Sequence, residues 1–160
     1  MEELYPICRS ITGQGVRDTL DILGRFIPLA RSSVPSGTKV FDWEVPREWN
    51  IKDAYVKDST GRRVVDFRAH NLHVVNYSVP VNARMTLAEL RPHLHAISDQ
   101  PDWIPYRTSY YRDVWGFCLT QTQLDSLVDG EYEVKIDSTL EPGRLDMAEL
   151  VIRARLKMKF

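Results

Sequence analysis

The sequence predicts an α+β protein: an N-terminal helical pair followed by an antiparallel β-barrel or sandwich with two short helices. Three observations predict it. The first thirty residues carry apolar side chains at helical spacing, the period then changes to two from about residue 31, and two capping boxes interrupt the strand-like stretches downstream. At 160 residues the chain is long enough to bury a real core, since a domain of this size hides roughly 70% of the surface of its unfolded chain.

Leu4, Ile7, Cys8 and Ile11 fall at helical spacing, Gly13 and Gly15 interrupt, and Val16, Leu20, Leu23 and Ile27 resume the pattern up to Pro28. Two short helices joined by a glycine turn are expected. Next, Val40, Asp42 and Glu44 alternate with Phe41, Trp43 and Val45 between prolines 35 and 46, the pattern of a strand with one apolar face. Ala54 to Lys57 and Arg63 to Phe67 flank Asp58, Ser59, Thr60 and Gly61, which predicts a β-hairpin.

Leu72 to Val75 and Tyr77 to Val81 continue the strand chemistry. Thr86 and Glu89 form a capping box ahead of Leu87, Leu90 and Leu94, and Pro92 must shorten that helix. Gly116 to Leu119 reads as a buried strand, and Thr120 with Gln123 caps a second brief helix carrying Leu124 and Leu127. Finally, Glu131 to Asp137 is expected to pair with Arg144 to Ile152 across Glu141, Pro142 and Gly143.

The 21 basic and 22 acidic residues nearly cancel and form no long block, so nucleic acid and anionic membranes are not expected partners. Nothing approaches the roughly 18 consecutive apolar residues of a spanning helix, and the acidic start lacks a secretory signal's basic region. The cytoplasm is the expected location. Cys8 and Cys118 stand far apart in unlike contexts and are expected to be reduced and buried.

Three passages carry a resemblance: Tyr5-Pro-Ile-Cys-Arg-Ser-Ile-Thr-Gly13; Gly37-Thr-Lys-Val-Phe-Asp-Trp-Glu-Val-Pro-Arg-Glu-Trp-Asn-Ile51; and Ile104-Pro-Tyr-Arg-Thr-Ser-Tyr-Tyr111 followed by Trp115-Gly-Phe-Cys-Leu119. Over positions 4 to 152 the chain resembles bacterial aminopeptidase-like proteins, some encoded among polysaccharide biosynthesis genes. The resemblance implies an organisation. Residues 1–30 would be a helical segment of a zinc-peptidase-like domain, 31–140 an inserted β-rich domain, and 141–152 a strand returning to the first domain. It also implies zinc in full-length relatives, held by a His- and Asp-bearing segment beyond the region this chain covers. No position here matches that segment, so no catalytic or metal residue and no cofactor is assigned to this chain.

Residues 153–160, Arg-Ala-Arg-Leu-Lys-Met-Lys-Phe, depart from the family, which would run from Ile152 into Pro-Gly and an acidic stretch. One choice of synonymous codons for this tail, CGG GCA AGG CTG AAG ATG AAA TTC, is reread with one extra C in front as Pro-Gly-Lys-Ala-Glu-Asp-Glu-Ile. A one-base deletion that truncates the chain before the metal-binding region is therefore expected. The missing C-terminal peptidase-like portion is the expected partner, with a homo-oligomer as a further expectation.

Other constellations have bland readings that outweigh the sharp ones. His93-x-His95 lacks the third ligand zinc requires, and Cys118 sits in an apolar run that suppresses its thiolate. Asp42, Glu44 and Glu48 around Trp43 and Trp49 resemble paired glycosidase carboxylates but read better as solvated. Gly13-x-Gly15 lacks a third glycine and a preceding strand. The densest aromatic cluster, Trp103, Tyr106, Tyr110, Tyr111 and Trp115 with Arg107 and Arg112 among them, is the candidate ligand or interface surface. Its rings with polar handles suit contact with a cleft, a neighbouring subunit or a sugar, and they equally suit plugging one end of the sheet. A non-catalytic fragment whose β-domain shapes substrate access or assembly is the expected function. A stand-alone ligand-binding module, for example for glycans, is the alternative.

Overall fold

The computed structural model describes residues 2–152, so the basic tail and its expected reading-frame origin lie outside the described residues. The centre is a four-stranded antiparallel sheet in the order β5-β4-β9-β6, built from β4 (Glu48–Lys57), β5 (Arg63–Asp66), β6 (Val81–Thr86) and β9 (Glu131–Glu141). Strands β4 and β9 pair from Glu48↔Glu141 to Lys57↔Glu133, with one irregularity between Ile51 and Asp53.

The sheet is open and has two unlike faces. On one, Tyr132, Val134 and Ile136 of β9 join Ala54 and Val56 of β4 and Val65 of β5. This face is covered by α2 (Leu87–Leu90), by the parallel pair of β7 (Leu94–His95) and β8 (Phe117–Cys118), and by Leu127 beyond α3 (Gln121–Asp125). The other face carries ion pairs: Tyr55 donates to Glu133 Oε1 at 2.7 Å, the Arg63 guanidinium lies 4.2 Å from the Tyr55 ring, and Arg63 bridges Asp53 at 2.9 Å and Asp66 at 2.8 Å. A face dressed in charge has no apolar surface to offer a second sheet. The expected barrel or sandwich is therefore corrected to one open sheet with a single covered side.

The local signals hold. In the β4–β5 turn Asp58 Oδ1 accepts from the Thr60 and Arg62 backbone N–H groups at 3.0 and 3.1 Å, and Gly61 takes φ 84°, a conformation glycine adopts without strain. Both capping boxes form, Thr86 with Glu89 on α2 and Thr120 with Gln123 on α3. Pro92 sits in a 3₁₀ turn, Arg91–His93, that ends the first of these helices.

Four expectations are corrected. The N-terminal pair is a single helix, α1 (Gln14–Gly24), preceded by turns, and Cys8 and Ile11 of the supposed first helix pack on the sheet's core instead. Gly13 explains the break. Its φ is 97° and a Cβ there would run into the Trp49 carbonyl, so the chain turns where it crosses β4. The supposed strand around residues 40–45 is a small hairpin, β2 (Lys39–Val40) and β3 (Trp43–Glu44), reversed at Phe41 with φ 55°. Leu72 to Val75 is mainly the 3₁₀ turn Asn71–His73 followed by a single bridge from Val74 to Phe117. Last, β10 (Arg144–Glu149) does not pair with β9; it pairs antiparallel with β1 (Ala30–Pro35), from Ala30↔Glu149 to Pro35↔Arg144.

The β1–β10 ribbon and α1 are tied to the sheet by one guanidinium. Arg17 grips Glu48 through both nitrogens, at 2.6 and 3.1 Å, and reaches Asp146 Oδ2 at 3.0 Å. Asn50 adds Nδ2 to Glu48 and offers Oδ1 to the first N–H of α1 at 2.7 Å, supplying from β4 the cap that Gly13 lacks. The Arg17 hydrogen bonds hold the Glu48 carboxyl down at about 2.

Because the folded value is depressed, Glu48 contributes stability fully above its ordinary value of 4.5 and loses it as pH falls from there towards about 2. Thermal melts across this window should show a fall that Glu48→Gln flattens. Arg17→Ala should cost about 3 kcal/mol in urea melts, because it leaves the shielded Glu48 carboxylate with no cationic side chain and Asp146 with Arg144 alone.

Candidate functional site

The aromatic cluster hangs on the buried segment from Val74 to Ser78. Asn76 donates its N–H to the Arg107 carbonyl at 2.9 Å and accepts from Ser109 at 3.0 Å. Val75 and Val79 donate to Gly116 and Val114 at 3.0 and 3.1 Å. Tyr77, fully buried with φ 69°, is the pivot. Its phenol meets Thr12 Oγ1 at 2.5 Å, its ring stacks on Trp49 at 5.9 Å, and Tyr110 packs edge-on at 4.9 Å.

The five rings and Arg107 of the candidate surface divide. Tyr110 and Trp115 turn inward: Trp115 lies 3.6 Å from the His93 ring, nearly parallel, and meets Phe117 edge-on at 6.4 Å. Trp103, Tyr106 and Tyr111 stand in solvent at 64%, 58% and 60% exposure. Tyr106 accepts from Asn76 Nδ2 at 3.2 Å, and Tyr111 donates across to the Glu44 carbonyl at 2.9 Å. Arg107 is exposed and its backbone carbonyl serves the loop. The cluster is thus half plug and half surface. The sequence reading missed Glu44 and Arg47 as neighbours of Tyr111, since they join it only through the β2–β3 fold-back.

The nucleophile and metal candidates are accounted for by structure. Cys118 is fully buried and burial pushes its thiol up to about 11; Cys8 is raised to about 11 for the same reason. His73 is spent on the Cys118 carbonyl at 2.7 Å, and burial lowers its pKa. His70 Nδ1 accepts from the Leu72 N–H at 3.2 Å, so in the neutral ring Nε2 carries the proton and donates it to the Tyr5 hydroxyl, also 3.2 Å away. Among the described residues no three His, Cys, Asp or Glu side chains gather as metal ligands. The donor set among the described residues therefore does not fit a zinc ion.

A second surface lies around α1. None of its residues is buried, and Phe26 and Ile27 just beyond it are 77% and 37% exposed. Met147 on β10 and Leu150, Val151 and Ile152 after it are exposed by 44%, 40%, 72% and 83%. A two-stranded ribbon is marginal alone, and this one shows apolar side chains to solvent. No helix among the described residues is long and apolar enough to cross a membrane.

An open-sheet α+β protein is the class this geometry defines. The chain belongs to the family described as Domain of unknown function (DUF2172), which matches residues 48–139, the stretch that holds all four strands of the central sheet. A Clostridium acetobutylicum protein named "Putative polysaccharide biosynthesis protein with aminopeptidase-like domain" is 60% identical over 157 residues, 98% of this chain and 36% of that protein. A crystal structure of a "putative peptidase" from Clostridium acetobutylicum superposes with TM-score 0.89 at 61% identity, covering 92% of this chain and 35% of that one. The chain spans about a third of the length of these relatives.

Thiols held near 11 stay protonated at pH 8. Ellman's reagent should therefore label Cys8 and Cys118 slowly in the folded protein and at once in guanidinium, and a thiol that reacts at the rate of free cysteine without unfolding would contradict this assignment.

Proposed function

We propose that this chain is the N-terminal, non-catalytic part of an aminopeptidase-like protein, and that its open-sheet domain shapes substrate access or assembly around a peptidase-like body. The observation that carries the reading is the apolar surface left open just beyond α1 and along the end of the β1–β10 ribbon, at Phe26, Ile27, Met147 and Leu150 to Ile152. The identity with a protein nearly three times as long supports it. In this reading residues 1–30 and 141–152 belong to the body and residues 31–140 are inserted into it. Any zinc would be bound by the remaining two-thirds, where a metal would polarise a peptide carbonyl and activate water.

The test is complementation. The segment of the Clostridium acetobutylicum relative beyond the aligned third is co-expressed with this chain, and the pair is followed by size exclusion and hydrogen exchange. A one-to-one complex with new protection in α1, β1 and β10, and little change in β4, β5, β6 and β9, is expected. Two species that elute apart, or protection confined to the central sheet, would dismiss the reading. Alone, the chain should bind a hydrophobic dye, and Leu23→Lys with Phe26→Ser should reduce that binding.

A further inference from the structure

A groove of about 480 Å³ lies between the β2–β3 hairpin and the turn at Tyr110 and Tyr111, with Pro142, at the start of the segment assigned above to the peptidase-like body, on its border. We propose that this groove binds a saccharide, taking a pyranose ring with equatorial hydroxyls against Tyr111.

Its volume falls within the few hundred Å³ typical of small-ligand sites. Tyr111 is 60% exposed, yet its ring is held, because the phenol donates to the Glu44 carbonyl across the groove. Tyr110 is anchored below by its edge contact with Tyr77. A pre-set aromatic face therefore meets solvent at no further ordering cost on binding. Such a face packs well on the flat C–H side of a sugar whose hydroxyls all point outward round the rim.

The rim supplies the matching polar groups. Among the described residues the Glu44 carboxylate makes no hydrogen bond, so it is available to accept from hydroxyls, while Arg47 presents a planar fork of donors. Arg47 is also paired with Asp113, which offsets its single positive charge, and the Glu44 carboxylate then leaves the rim net negative. That charge disfavours phosphate or carboxylate ligands, which need uncompensated cations, and suits a neutral hydroxyl-rich one. Phe41, fully exposed at the hairpin tip, does not line the groove and serves as a control.

The probe is cellohexaose, whose equatorial hydroxyls leave both ring faces apolar, titrated into the ¹⁵N-labelled chain. Saturable shifts confined to residues 36–45, 47, 110–113 and 143 are expected, weakened roughly tenfold or more by Tyr111→Ala and by Arg47→Ala and unchanged by Phe41→Ser. Both weakening variants alter exposed side chains, and an unchanged amide spectrum elsewhere certifies their fold. The proposal is overturned by an absence of shifts up to about 5 mM sugar, a concentration that still detects millimolar binding. It is also overturned by shifts that survive Tyr111→Ala, or by concentration-dependent shifts without sugar that vanish in Phe41→Ser, which would make the hairpin a protein contact. None of these outcomes depends on whether the chain joins a peptidase-like body.

Discussion

Glu48 is where the two parts of this molecule are joined. It opens β4, the strand that pairs with β9 along the middle of the sheet. Its carboxylate also takes Arg17 from α1 and the Arg144 backbone N–H, at 3.3 Å, from β10. Gly143 passes so close that a Cβ there would strike the Glu48 side chain. Asp146, gripped by both Arg17 and Arg144, completes the joint. Arg17, Glu48 and Asp146 are largely shielded from water, so their attraction is weakly screened, and losing Arg17 leaves Glu48 without a cationic side chain. Because α1 and the β1–β10 ribbon bury little apolar surface of their own, their position rests on this ionic knot rather than on packing.

The signals legible in the sequence were those whose chemistry is local. A threonine followed three residues later by Glu or Gln closes its own hydrogen-bond loop, so both capping boxes could be placed without knowing the fold. The Asp58 turn is the same kind of object. The strand expected over Glu131 to Asp137 also forms, with Tyr132, Val134 and Ile136 buried on its one covered face. The resemblance read from Tyr5 to Gly13, from Gly37 to Ile51 and from Ile104 to Leu119 anticipated the aminopeptidase-like relatives.

Where the reading failed, a distant partner had decided the matter. Leu4, Ile7, Cys8 and Ile11 have helical spacing, but Cys8 and Ile11 are spaced to reach the sheet's core from an irregular segment. Periodicity reports which side chains are buried and leaves open which backbone delivers them. Glu141, Pro142 and Gly143 looked like a hairpin turn between neighbours. Yet β10 runs on to pair with a strand more than a hundred residues earlier, because Glu48 draws the chain past Gly143. The barrel was a guess about closure. Closure was decided by the Tyr55, Arg63, Asp53 and Glu133 network, whose members look like ordinary surface residues until β4, β5 and β9 are aligned.

The candidate surface shows the same limit in sharper form. Alternation from Val40 to Val45 placed Phe41, Trp43 and Val45 on one face, and a straight strand would have buried all three together. In the structure the positive φ at Phe41 reverses the chain, so that only Val45 is buried and Phe41 projects fully into solvent. The reversal brings Glu44 and Arg47 beside Tyr111, more than sixty residues on, and turns a row of aromatic residues into one wall of a groove. Composition could name the aromatic residues. Only the fold-back at one backbone angle could say which charged groups stand opposite them, and therefore what chemistry those rings can serve.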